Sequence, residues 1–174
     1  MNPGDIAVRP EIARDRPAVR DLLVRAFLSD AEARLVEALR GRTDPQVSLV
    51  AEDPSGEVVG HILFTPVEIR GVTDRSTAIG LGPMAVVPER QRAGIGAALV
   101  EAGFAACAAQ GERVVVVLGH PDYYPRFGFR PAWSLGLYYG RPGPNAAFMV
   151  CELEPGAVRG RSGEVVYHAA FDAL

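Results

Sequence analysis

"VVPERQRAGIGAALVEAGFAACAAQG", residues 86–111, decides the fold. It leaves an apolar, strand-like segment, passes a proline and a charged turn, and enters an alanine-rich helix with Gly94 and Gly96 at its mouth. A glycine in a helical position costs up to ~1 kcal/mol relative to alanine, so the pair needs a reason. Two are available. The glycines can permit a tight strand-to-helix turn, or they can clear Cβ atoms from a place where a phosphate reaches the backbone. A helix N-terminus presents unpaired N–H groups and about half a positive charge, and Arg90 and Arg92 add positive charge beside this one.

Working outward, residues 76–87 read as a strand, 95–110 as the helix and 113–118 as a second strand. Ile95, Leu99, Ala102 and Ala106 form the expected buried stripe, small enough for the helix to lie close to a sheet. The run from Val114 to Leu118 is continuously apolar, as a strand covered on both faces requires. The three pieces make a βαβ unit with parallel strands and a right-handed crossover. Gly80, Gly82 and Pro83 predict an irregular first strand.

Upstream, Asp15 is placed to cap a helix with Pro17 in its first turn and Val19, Leu22, Leu23, Ala26 and Phe27 on its apolar face. Asp30 caps a second helix, with Leu35, Val36 and Leu39 inward and Gly41 as its stop. Residues 47–52 and 57–70 read as a hairpin across the turn Asp53-Pro54-Ser55-Gly56. Beyond Phe129 only weaker strands are expected, near 135–139, 147–153 and 164–169. The fold class is therefore α/β (α+β), in a single domain over residues 1–174.

The net charge of -3 argues against nucleic-acid binding, which shows as clustered Lys and Arg. Cys107 and Cys151 stand far apart, indicating neither a disulfide framework nor a zinc site. No His or carboxylate pair has metal-ligand spacing, so no metal is expected. The opening "MNPGDIAVRPE" lacks the cationic and apolar regions of an export signal. No apolar run approaches the ~20 residues of a membrane helix, and a cytoplasmic location follows as the default.

The phosphate-bearing ligand is narrowed by what is missing. The P-loop pattern GxxxxGK[ST] is absent, and Leu99 stands at the third glycine position of a dinucleotide fingerprint. "Gln91-Arg92-Ala93-Gly94-Ile95-Gly96" resembles the Q/R-x-x-G-x-G/A pyrophosphate loop of the GNAT superfamily of acyl-CoA-dependent N-acyltransferases. "Tyr123-Tyr124-Pro125-Arg126-Phe127-Gly128-Phe129" resembles that superfamily's Y-x-x-x-G-F segment, and "VVVVLGHPDYYPRFGFRPA" looks most like its YhbS-like branch of small bacterial acetyltransferases.

The resemblance implies a central mixed, largely antiparallel sheet splayed around the parallel βαβ unit and flanked by helices. It also implies acetyl-CoA as cosubstrate, an amine-bearing acceptor, and a homodimer as a common arrangement. The backbone of Met84, Ala85 and Val86 would hold the pantetheine arm and polarise the thioester carbonyl. Gln91, Arg92, Ala93, Gly94, Ile95, Gly96 and Ala97 would hold the pyrophosphate, and Tyr124 would be the general acid. The plain alternative for Tyr124 is an aromatic packed beside Phe127 and Phe129, and Tyr123 reads as packing or substrate-lining. The base stays open among His120, His61, Glu68, Glu32 and a water relay. Neither cysteine lies in a motif, so direct transfer is expected over an acyl-cysteine route. The reading from a different class is a non-catalytic acyl-CoA-binding or sensing domain. The acceptor could be a small amine, a peptide terminus, a lysine, a polyamine or an aminoglycoside.

Overall fold

In the computed structural model, which describes residues 6–174, the chain runs β1 (Ala7–Pro10), α1 (Arg16–Phe27), α2 (Ala31–Leu39), β2 (Val47–Glu52), β3 (Val58–Arg70), β4 (Arg75–Val86) and α3 (Ile95–Ala109). It continues through β5 (Val114–Leu118), β6 (Arg130–Pro131), β7 (Leu137–Tyr138), β8 (Phe148–Glu152) and β9 (Gly163–Val166). Residues 1–5, the start of the stretch searched for an export signal, lie outside the described residues. No described helix is long and apolar enough to cross a membrane.

The strands form one sheet in the order β1-β2-β3-β4-β5-β8-β6, with β9 paired to β3 and β7. It is antiparallel except where β4 meets β5 and where β7 meets β9. The hairpin from β2 to β3 forms as its turn chemistry predicts. Asp53 Oδ1 accepts from the Ser55 and Glu57 amides, and the Gly56 amide closes onto Asp53 O at 2.9 Å. β2 covers β3 only as far as Phe64, and β9 then pairs with Glu68–Arg70 further along.

β3 decides which helix lies on which face, because its side chains alternate. Gly60 and Phe64 face α3. A Cβ on Gly60 would stand 2.9 Å from Leu99 Cδ1, and one on Gly103 only 2.2 Å from the Phe64 ring. The buried stripe of α3 is therefore Ile95, Leu99, Gly103 and Cys107, while the expected Ala102 and Ala106 are only half-buried. The stripe is rotated because a glycine, not an alanine, is needed where Phe64 fills the helix–sheet gap. β5 is buried on both faces, with Val115 and Val117 in the main core and Val114 and Val116 in a second core beneath β8.

Both predicted caps are corrected. Asp15 has helical dihedrals, which do not suit a capping side chain. Its buried carboxylate instead accepts from Arg9 at 2.6 and 3.0 Å and from the Ile12 amide at 2.9 Å. At α2 the Ser29 hydroxyl accepts from the Ala31 amide at 3.1 Å, and Asp30 pairs with Arg34 one turn on. Phe27 is not core either, being 40% exposed.

The face opposite α3 holds a buried polar cluster. The His61 ring nitrogen lies 3.0 Å from Ser48 Oγ and 3.6 Å from Glu11, which Arg40 binds at 2.6 Å. Burial alone would raise the Glu11 carboxyl, but hydrogen bonds from His61 and Ser48, with the charges of His61 and Arg40, outweigh it and hold it at about 2. The folded value lies below the ordinary 4.5, so this stabilisation is complete above about pH 4.5 and is lost as the pH falls toward 2.

Two stability measurements follow. The melting temperature should fall across that acid window, and Glu11→Gln should cost roughly 3 kcal/mol near neutral pH while flattening the acid loss. In urea, Gly103→Ala should lose ~1–3 kcal/mol although alanine is the better helix former, because its methyl meets Phe64. Pairing it with Phe64→Leu should cost less than the sum of the single changes.

Candidate active site

The cleft begins where two parallel strands part. β4 pairs with β5 only through Ile79, Gly80 and Leu81, opposite Val115, Val116 and Val117. Beyond Leu81 the register of β4 against β3 slips: Leu81 faces Phe64 and Met84 faces Ile62, so Gly82 and Pro83 stand opposite Leu63 alone. This is a β-bulge, and it turns the rest of β4 away from its parallel neighbour. Among the described residues, Gly82 to Val86 have no strand partner on that side, and a cleft of about 1110 Å³ opens there.

At one margin lies the glycine turn. Gly94 has φ +84°, a left-handed conformation that disfavours any side chain, so this glycine is required by the turn itself. Gly96 has ordinary helical geometry and a different reason: a Cβ there would lie 2.6 Å from the Tyr123 hydroxyl. The first α-helical bond runs from the Ala98 amide to Gly94 O at 3.0 Å, which leaves the amides of Ile95, Gly96 and Ala97 at the free helix end. Gln91 folds back and donates from Nε2 to Val86 O at 3.2 Å, tying the turn to β4.

Across the cleft, residues 124–127 form a single 3-10 turn closed by Gly128 at φ +88°, which explains the glycine of that motif. Tyr124 is 7% exposed, with its ring edge-on to Tyr123 and Phe129. A Cβ on Gly119 would stand 2.4 Å from that ring, so the glycine ending β5 makes its seat. Tyr123 is half-buried under the Arg126 guanidinium, 4.7 Å from the ring centre. Tyr123 both packs and lines the cleft, with its hydroxyl against the first turn of α3.

Most of the residues singled out in the sequence line the cleft: Met84, Ala85, Val86, Gln91, Arg92, Gly94, Gly96, Ala97 and Tyr124. Ala93 and Ile95 do not. Ile95 is 3% exposed and packs beneath Gly60, so only its backbone faces the turn. Among the base candidates His120 and Glu32 line the cleft. His61 is held in the Glu11–Ser48 cluster, and Glu68 is paired with Arg70 and Arg75. Among the described residues no group of three or more His, Cys, Asp and Glu is placed to hold a metal ion.

Sequence reasoning missed an aromatic wall made by Phe27, Tyr139, Tyr167 and Phe171. Tyr167 packs on the bare backbone of Gly80, where a Cβ would lie 2.6 Å from its ring, and its ring meets those of Tyr139 and Phe171. Gly80 is the only local signal of this contact, and it also fits strand irregularity.

The chain resembles known proteins over most of its length. A family model described as an acetyltransferase (GNAT) domain matches residues 7–132. The chain is 38% identical over 165 residues to the uncharacterized N-acetyltransferase YhbS of Escherichia coli K12, covering 95% of this chain and 98% of that protein. The crystal structure of Escherichia coli YhbS in complex with CoA superposes with a TM-score of 0.88 at 37% identity, covering 97% of this chain and 92% of that one. A GNAT family acetyltransferase from Brucella melitensis, in complex with acetyl-CoA, gives 0.78 at 35% identity over 96% and 98%.

The phenols facing the cleft have a defined protonation state. Burial raises Tyr124, with Tyr123 beside it adding to the effect, and burial likewise raises Tyr123 and Tyr167. Each therefore stays protonated through the neutral range, and Tyr124 can give a proton but not take one. In ultraviolet titration of the folded protein these phenols should ionise later than free tyrosine, and Tyr124→Phe should remove part of the late absorbance. Unchanged late absorbance in that variant would contradict the burial.

Proposed function

The chain belongs to the GNAT acetyltransferase family and is an acyltransferase, and from that premise we propose that it moves the acetyl group of acetyl-CoA to a primary amine by direct attack in a ternary complex. The observation that carries this reading is the stretch of β4 from Gly82 to Val86 that has lost its parallel neighbour, flanked by the glycine turn of α3 and by a buried phenol. The CoA and acetyl-CoA complexes of the two structural relatives support it. The lining residues run from Ala26 to Leu174, which supports treating the chain as one acetyltransferase unit.

Each part has a physical role. The orphan amides of α3 and the arginines beside the turn suit a pyrophosphate, which approaches over Gly94 and Gly96 and meets Gln91, Arg92, Ala93, Ile95 and Ala97 through side chain or backbone. The backbone of Met84, Ala85 and Val86, along the edge of β4 that faces away from β3, suits the pantetheine arm and the oxygen of the thioester carbonyl, where negative charge grows as nitrogen attacks. As the C–S bond breaks, the electron pair leaves on sulfur, and Tyr124 donates its phenolic proton to that thiolate. The nitrogen of the newly formed, still protonated amide then returns a proton to the phenolate.

A covalent acyl-cysteine route has no support. Neither Cys107 nor Cys151 lines the cleft, and burial pushes the Cys107 thiol up to about 12 and raises that of Cys151. A thiol so held yields little thiolate near neutral pH.

Thermal shift and turnover together test the assignment. At a hundredfold excess over Kd, acetyl-CoA should stabilise the fold by ~2.7 kcal/mol and raise Tm by several degrees, whereas NAD and ATP should not. Tyr124→Phe should keep that shift and lower kcat ~10²-fold or more. An unchanged kcat and pH profile would make Tyr124 an aromatic wall only.

A further inference from the structure

The acceptor half of the cleft carries two unmet hydrogen-bonding groups. Among the described residues, four buried side-chain polar atoms have no hydrogen-bond partner, and two of them, Glu32 Oε2 and the Tyr167 hydroxyl, belong to residues that line this cleft. Buried polar atoms are rarely left unpaired, and at a binding site the missing partner is often a ligand.

Charge within the cleft is segregated. Its arginines, Arg90, Arg92 and Arg126, belong to the segments at the glycine turn and the 3-10 turn facing it. Glu32 carries the only carboxylate side chain among the described lining residues and stands in the first turn of α2. That helix packs against the 3-10 turn Ala169–Ala173, which brings the Phe171 ring to the Gly82 bulge. Around this end the lining is aromatic, from Phe27, Tyr139, Tyr167 and Phe171.

We propose that this end is the acceptor site and that it selects a cationic primary amine on an apolar body, with Glu32 and the Tyr167 hydroxyl receiving its N–H bonds and the rings packing its body. The inference rests on the acetyltransfer reading and names its acceptor class. A carboxylate accepts strongly from an ammonium, and ring faces attract cations. An acceptor bearing its own carboxylate beside the amine meets repulsion from Glu32, with no described lining arginine on α2 or the aromatic segments to offset it.

The proton balance closes on the same residues. A docked ammonium gives one proton to the Glu32 carboxylate, and its neutral nitrogen attacks the thioester. The second proton passes to the Tyr124 phenolate after the phenol has protonated the departing sulfur. Acetylamide and free thiol leave, and Glu32 returns its proton to solvent.

The test uses benzylamine, its uncharged counterpart benzyl alcohol, and phenylglycine, which is benzylamine with a carboxylate on the adjoining carbon. Each is titrated calorimetrically into wild type and Glu32→Gln, with and without saturating CoA. Benzylamine should bind wild type at least tenfold more tightly than either analogue, and Glu32→Gln should weaken benzylamine at least tenfold while leaving benzyl alcohol and CoA affinity within about twofold. Equal benzylamine affinity in the two proteins, phenylglycine binding as well as benzylamine, or no benzylamine binding in any arm would each overturn the proposal. Wild type that fails to bind CoA would overturn the acetyltransfer reading instead, and the CoA-free arms still judge the amine site.

Discussion

Everything in the cleft depends on β4 losing one neighbour while keeping the other. From Ile79 to Leu81 the strand is bonded on both sides, and after that, among the described residues, only β3 remains. A strand in the middle of a sheet normally leaves no backbone group free, and one at an edge leaves a whole row free. β4 is both in turn. The one-residue slip that sets Gly82 and Pro83 opposite Leu63 makes the change abrupt, so a short row of backbone without a parallel partner opens inside the protein and not at its rim. An arm that hydrogen-bonds like a strand can occupy such a row without exposing the sheet to other chains.

The glycines around this opening have distinct reasons. Gly94 and Gly128 are demanded by left-handed backbone at turns. Gly60 and Gly103 let α3 press against β3, while Gly80 and Gly119 make room for the rings of Tyr167 and Tyr124. Removing a Cβ costs chain entropy in every case. The return is a helix close enough to β3 to fix its free amino end beside β4, and phenols seated on backbone, which limits their movement.

How much of this was legible follows from how local each feature is. The βαβ unit, the hairpin turn at Asp53–Gly56 and the turn at Gly94 are written in neighbouring residues, and periodicity and turn chemistry find them. The caps misled because Asp15 and Asp30 have the right side chain before a helix, yet long-range partners or dihedrals decide its use. Asp15 answers to Arg9, which also binds Glu52 on β2. The stripe on α3 misled for a related reason: Phe64, far away in sequence, selects Gly103 over the alanines beside it. The aromatic wall was illegible because Phe27, Tyr139, Tyr167 and Phe171 share no spacing, and only the packing of β9 and the 3-10 turn after it brings the last two to the sheet.

The division of polar groups between the two faces bears on catalysis more than any single residue does. On the α1/α2 side of β3, Glu11, Ser48, His61 and Arg40 satisfy one another almost completely, with only His61 Nδ1 left over. Such a closed set stabilises its own ionisation state and is shielded from a reacting group. In the cleft the arrangement is the reverse: phenols kept protonated by burial, a carboxylate oxygen without a partner, and a strand that has lost its parallel neighbour. Groups left without a partner in a cleft keep their hydrogen bonds available for a bound molecule. His61 is the most deeply buried histidine and looks catalytic by composition, but its Nε2 is engaged by Ser48 and Glu11 and the residue does not line the cleft. Glu32 and Tyr124, each unremarkable in a composition count, line the cleft.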